Sequence, residues 1–132
     1  MPKKERLFAE NRALSLRIKA ASFDDEVITL SGGNQQKVAL AKWLETSPHI
    51  LLLDEPTRGI DVAAKHEIYK LMNQWTDEGL AILLITSEMP ELLAMSDRIL
   101  VLHRGRLVAT FNRDQATQEK VLQAAMGQGE IS

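Results

Sequence analysis

Three short clusters in this chain combine residue types that can do chemistry at spacings that let them act together. The first is Leu30-Ser31-Gly32-Gly33-Asn34-Gln35. A serine and two glycines at the start of a helix leave a hydroxyl and several backbone N–H groups open to approach. The positive end of the helix dipole points the same way, so the surface suits an anion. The same residues also make an ordinary helix cap, and taken alone they do not choose between the two. The second cluster is Ile50-Leu51-Leu52-Leu53-Asp54-Glu55-Pro56. Here an apolar run carries two adjacent carboxylates to its end. One, Asp54, could hold Mg²⁺ directly or through water; the other, Glu55, could orient or deprotonate an attacking water. A strand ending in two solvated acids is the plainer alternative. The third is Asp61, after Arg58-Gly59-Ile60, which by itself reads as the N-cap of a helix.

The elements that must position these residues follow from periodicity and punctuation. Residues 3–13 are rich in helix formers, and Leu7, Leu14 and Ile18 fall near helical spacing, so a helix over 3–20 is preferred to a short strand at 14–18, where the residues also alternate. Residues 21–29, with Asp24-Asp25-Glu26, read as an exposed connection. Residues 35–45 contain no Gly or Pro and predict an amphipathic helix with Ala39, Leu40, Trp43 and Leu44 inward. Ser47-Pro48 stops it. Ile50 to Leu53 reads as a strand buried on both faces, as in a parallel sheet, where ligands gather at the C-terminal ends.

After a turn containing Gly59, Asp61 opens a helix with Ile68, Leu71, Met72 and Trp75 on one face, and Gly79 ends it. Residues 80–86 form a second apolar strand, so strand, helix and strand make one βαβ unit. Residues 90–95 predict a short helix. The runs 98–103 and 106–111 flank Arg104-Gly105 as a hairpin. Residues 115–126 predict a last helix with Val121, Leu122 and Ala125 inward.

Composition narrows the function classes. The chain has 132 residues, 16 Lys plus Arg against 18 Asp plus Glu, and a formal net charge of −2. That removes a general electrostatic case for nucleic acid. With one Tyr, three Phe and two Trp, a base-stacking surface is also disfavoured. Cysteine is absent, which excludes disulfides, thiolate nucleophiles and Cys-ligated metals. No apolar run approaches the ~20 residues of a membrane-spanning helix.

The order of the three clusters is more telling than any one of them. Residues 30–35, then 50–55, then 58–61 resemble the signature motif, the Walker B strand with its catalytic glutamate, and the D-loop of ATP-binding-cassette (ABC) ATPases. Gln35-Gln36-Lys37-Val38, Pro56-Thr57-Arg58-Gly59-Ile60-Asp61-Val62, Ser87-Glu88-Met89-Pro90-Glu91-Leu92 and Ser96-Asp97-Arg98 extend the likeness. They resemble the second cassette of bacterial ribose, arabinose, xylose and galactose importers. The implied fold class is α/β: a partial P-loop NTPase core with parallel strands, crossover helices and a C-terminal β-hairpin. Residues 1–46 would be a remnant of the helical subdomain with the signature helix, and residues 47–132 the C-terminal half of the catalytic core, in one partial domain.

The pattern is also broken in two places. None of the seven glycines is followed by Lys, so the Gly-x-x-x-x-Gly-Lys-Ser/Thr phosphate loop does not occur. The chain therefore looks like the C-terminal piece of a cassette. Ser87 stands where the family has its switch histidine; a hydroxyl can donate to a γ-phosphate but cannot hold a proton near pH 7 as imidazole can. Second cassettes of sugar importers resemble this sequence in lacking that histidine. His49, His66 and His103 read as loop, exposed-helix and hairpin residues.

The resemblance implies ATP and Mg²⁺ as ligands. Asp54 is implied on the metal and Glu55 as catalytic residue, with Ser31, Gly32, Gly33, Asn34, Gln35, Asp61 and Ser87 in nucleotide contact. Cassettes of this family pair head to tail, so Ser31 to Gly33 would serve the partner cassette's ATP in trans and Asp61 would couple the two sites. The implied partners are a second cassette, membrane permease subunits and, indirectly, a sugar-binding protein, with no nucleic acid. The implied location is the cytoplasmic face of the bacterial inner membrane. Two other readings stand beside this one: a fragment of a non-transport cassette ATPase, and an inactive truncated interaction fragment.

Overall fold

A computed structural model describes Lys3 and residues 32–128. The expected helix over 3–20, the connection over 21–29, Leu30 and Ser31 lie outside those residues. The chain divides into two compact units, Met1–Leu83 and Leu84–Ser132. Among the described residues no helix is long and apolar enough to cross a membrane.

The first unit is built on two helices and a pair of strands, the second of which runs past the unit's end at Leu83. Helix α1 spans Gly32–Leu44, strand β1 Ile50–Asp54, helix α2 Val62–Asp77 and strand β2 Ala81–Ile85. The two strands lie side by side in one sheet, joined through α2 as the strand–helix–strand pattern predicts. Helix α2 starts where the sequence says it should. The Asp61 carboxylate accepts a hydrogen bond from the Ala64 N–H at 2.9 Å, satisfying a donor that has no partner within the helix.

Helix α2 also stops where expected. Gly79 takes φ +102°, its N–H donates to the Thr76 carbonyl, and the Leu80 N–H donates to the Trp75 carbonyl, both at 3.0 Å. That pair of bonds is a Schellman motif, which needs a left-handed residue at its corner. Ile68, Leu71, Met72 and Trp75 are all buried, as their spacing predicts.

Two expectations for this unit need correction. Helix α1 buries Gly33, Lys37, Leu40 and Ala41; Ala39 is exposed, Leu44 is half-buried and Trp43 is 60% exposed. Each residue turns a helix by ~100°, and the close seating of Gly33 sets the rotation so that Trp43 falls off the inward face. Strand β1 is not buried on both faces. Leu51 and Leu53 are each 6% exposed, whereas Ile50 and Leu52 are 62% and 65% exposed. Successive strand side chains point to opposite faces, and only one face is covered.

The second unit holds helix α3, Met89–Met95, strands β3, Arg98–His103, and β4, Arg106–Asn112, and helix α4, Gln118–Ala125. Strands β3 and β4 pair antiparallel, with His103 opposite Arg106 and Ile99 opposite Phe111. Arg104 at φ +49° and Gly105 at φ +76° make the two-residue loop, with the positive φ values that match the twist of a tight hairpin. The register shifts between Val101 and Leu102.

Ile99, Val101, Ala109 and Phe111 form the inner face of the hairpin, and Val121 and Ala124 of α4 close on it. The last helix begins at Gln118 rather than 115, because the Thr117 hydroxyl accepts from the Lys120 N–H at 3.2 Å and caps it there. Its inward pair is Val121 with Ala124, one turn apart. Leu122 is 41% exposed and Ala125 is exposed, which corrects the expected inward set. His103 ends β3 and its Nδ1 lies 2.9 Å from the Ala125 carbonyl.

Candidate functional site

The chemistry-bearing residues of the first unit sit at the ends of its elements. Gly32 is the first residue of α1 and is exposed, while Gly33 is buried. Of the two glycines, only Gly33 has no room for a side chain. A Cβ added to Gly33 would lie 2.6 Å from the Ala64 Cβ and 3.8 Å from Ile60 Cγ2, and one added to Gly32 would lie 4.0 Å from the Gly59 carbonyl oxygen. The start of α1 therefore rests against the Gly59–Asp61 turn and the first turn of α2. Only a residue without a side chain permits that approach at position 33. Asn34 and Gln35 follow on α1, half-buried, and each has a polar partner.

At the end of β1, Asp54 is exposed and Glu55 half-buried. Glu55 has φ +49°, a left-handed backbone conformation uncommon for a residue with a side chain. The conformation bends the chain sharply out of the strand. Two turns follow: the Arg58 N–H donates to the Glu55 carbonyl and the Ile60 N–H to the Thr57 carbonyl, both at 3.2 Å. Pro56 and Thr57 are buried beneath these turns, Thr57 at 1% exposure. Gly59 at φ +73° completes the path to Asp61.

Asp61 is exposed, with one carboxylate oxygen committed to the helix cap. Ser87 belongs to the second unit, exposed between β2 and α3; beside it the Thr86 hydroxyl accepts from the Glu88 N–H at 3.0 Å. Among the described residues no group of three or more His, Asp or Glu side chains could hold a metal ion. Mg²⁺ keeps much of its water and takes one or two carboxylates besides phosphate oxygens. Asp54, exposed at a strand end, fits such a role.

Sequence reasoning missed two features here. One is the left-handed backbone at Glu55, which no residue type announces. The other is a buried cation: Lys37 is 2% exposed and pairs with Glu67 of α2. Its signal was available, since Gly33, Lys37, Leu40, Ala41 and Leu44 share one helical face.

Comparison with known proteins places this arrangement. The ABC transporter family profile matches residues 4–58. A protein of Pseudomonas fluorescens named as a putative ribose/galactose/methyl galactoside import ATP-binding protein is 54% identical over 122 residues, covering 92% of this chain. The chain belongs to the ATP-binding-cassette family. The ribose import ATP-binding protein RbsA of Rhodopirellula baltica is 57% identical over 110 residues, 83% of this chain. The xylose import ATP-binding protein XylG of Geobacillus kaustophilus is 55% identical over 119 residues, 90% of this chain.

This chain spans about a quarter of the length of these relatives, 24%, 22% and 24% in turn. The fold agrees as well. The ADP conformation of MJ1267, an ATP-binding cassette of an ABC transporter, aligns at TM-score 0.78 and 22% identity, over 97% of this chain and 52% of that one. The cbiO1 structure from Clostridium perfringens aligns at TM-score 0.71 and 28% identity, over 96% of this chain and 49% of that one. The α/β cassette core expected from the motifs is thus the observed fold. In complete proteins, cassettes of this family hydrolyse ATP and bind it with Mg²⁺.

Proposed function

We propose that this chain serves in the ATP-binding and ATP-hydrolysing subunit of a bacterial monosaccharide importer, where its signature motif completes the ATP site of a partner cassette. The observation that carries the reading is the seating of Gly32 and Gly33 against the Gly59–Asp61 turn. Two elements that would face a partner's nucleotide lie together in one packed unit. The identity to ribose, galactose and xylose import ATP-binding proteins supports the sugar class.

The roles follow from each residue's chemistry. The Ser31 hydroxyl and the N–H groups of Gly32 and Gly33 would donate to γ-phosphate oxygens of ATP held by the partner, with Asn34 and Gln35 continuing the motif. Charge stabilisation of this kind is the main protein contribution to phosphoryl transfer. In the chain's own site, Asp54 would hold Mg²⁺, which neutralises phosphate charge when bound. Glu55 would take the proton of the attacking water. Ser87 would donate to the γ-phosphate but not exchange a proton at neutral pH, so this site would hydrolyse poorly. Asp61, fixed at the helix cap, would couple the two sites.

The chain as it stands carries no Gly-x-x-x-x-Gly-Lys-Ser/Thr, and alone it would not hydrolyse ATP. Its working partners would be a second cassette and membrane permease subunits, with a sugar-binding protein acting through the permease. The location would be the cytoplasmic face of the inner membrane, as a peripheral subunit.

The test is the Ser31→Ala substitution in the complete protein assembled with its permease. ATP turnover falls by about tenfold or more while nucleotide binding persists, since the lost hydroxyl acts only on the transferring group. Wild-type turnover refutes the trans role. For the isolated chain, steady phosphate release abolished by Glu55→Gln would overturn the expectation of inactivity.

A further inference from the structure

The ion pair between the buried Lys37 and the half-buried Glu67 has no part in the roles above, yet it sits on the same seam. Lys37 is 2% exposed and the Glu67 side chain 37% exposed. Lys37 lies one turn along α1 from Gly33, and Glu67 one turn along α2 from Ala64. The seam between the two helices therefore repeats: Gly33 on Ala64, then Lys37 on Glu67. The first contact has no slack, because the Gly33 position leaves no room for a Cβ beside Ala64. The second locks rotation and sliding, because a buried ammonium separated from its carboxylate is strongly penalised.

We infer that Lys37 and Glu67 are positioning residues that bind the Gly32-Gly33 end of α1 and the Gly59–Asp61 turn into one rigid piece. The two elements then approach or leave a partner's nucleotide together rather than one at a time. This inference rests on the proposed trans role of the signature motif. Position, more than binding strength, is what the pair supplies. Misplacing a phosphate-contacting donor by about 1 Å is enough to cost on the order of 100-fold in rate.

Lys37→Met, Glu67→Gln and the double variant, each made in the complete importer, test it alongside Lys37→Arg and the control Gly32→Asp. The readouts are kcat and KM for ATP and the melting temperature. Lys37→Met and Glu67→Gln each lower kcat by about tenfold with KM for ATP within about twofold, the pattern of a contact that matters only in the transition state. The double variant is no slower than the slower single variant, because the two side chains act as one unit. Lys37→Arg, which keeps the cation, retains wild-type kcat.

Losses that multiply in the double variant overturn the inference. So does wild-type kcat in melted-and-verified folded variants, or a fall in kcat that tracks the fall in melting temperature and is not rescued by Arg. If Gly32→Asp also turns over at the wild-type rate, the trans role itself fails and takes the inference with it. If Gly32→Asp is inactive while the Lys37 and Glu67 variants are normal, only the inference fails.

Discussion

The two units of this chain solve the same packing problem in different ways. The second closes a twisted hairpin with one helix, using Ile99, Val101, Ala109, Phe111, Val121 and Ala124. The residues of that core are apolar, although the unit also buries Glu91 of α3 at 2% exposure, and its left-handed positions fall in the hairpin loop and at Gly127 after α4. The first unit packs Ile68, Leu71, Met72 and Trp75 in the ordinary way. Around its chemistry-bearing residues, however, it buries a lysine, admits no Cβ at Gly33 and turns Glu55 into a left-handed conformation. Departures from the easy pattern gather where function is proposed, with the buried Glu91 of the second unit as one that lies elsewhere.

The largest effect that sharpens this contrast is Phe111→Ala. Its loss costs about 3–5 kcal/mol, the range for emptying a buried aromatic site. Hydrogen exchange would locate the damage in β3, β4 and α4. Equal acceleration throughout α2 would break the division into two units. Ile68→Ala, at a side chain with 0% exposure, makes the reciprocal test in the first unit. It costs about 2–5 kcal/mol and speeds exchange in α2.

Gly33→Ala is next, at about 1–3 kcal/mol by urea denaturation, because the added methyl overlaps Ala64 and the seam must part. An unchanged midpoint would mean that the seam yields freely, against the account of α1 given above.

These substitutions also mark what was legible in the sequence. The βαβ order, the Asp61 cap, the Gly79 stop, the α2 inward face and the hairpin at Arg104-Gly105 all follow from local signals, and all are in the structure. Local rules describe local hydrogen bonds and turn geometry well. The inward face of α1 was not legible in the same way. A lysine is rarely buried without a partner, and its partner, Glu67, is far off in sequence. The apolar run of β1 implied two covered faces, but apolar composition cannot tell which side has a neighbour. At α4, Thr117 moved the helix start, and packing on the hairpin face chose Val121 and Ala124 as the inward pair. The motifs identified the family from residue order alone, whereas Glu55's backbone needed coordinates.

The smaller predictions separate structure from function at matched positions. Asp61→Ala and Thr117→Ala each remove one N-cap and cost about 1 kcal/mol by denaturation. Asp61→Asn keeps the cap acceptor and stays within about 0.5 kcal/mol of wild type. In the complete importer it nonetheless slows ATP turnover, because the charge is lost. Wild-type turnover in Asp61→Asn would reduce Asp61 to a cap, the same role as Thr117.

The most direct measurement is ATP binding and turnover by Gly32→Asp in the complete importer with its permease. The account predicts that nucleotide affinity stays within about twofold while turnover falls by about 100-fold, since a carboxylate at position 32 repels the partner's γ-phosphate where backbone N–H groups should stabilise it. Turnover at the wild-type rate would contradict it and leave the Gly32-Gly33 turn a packing device alone.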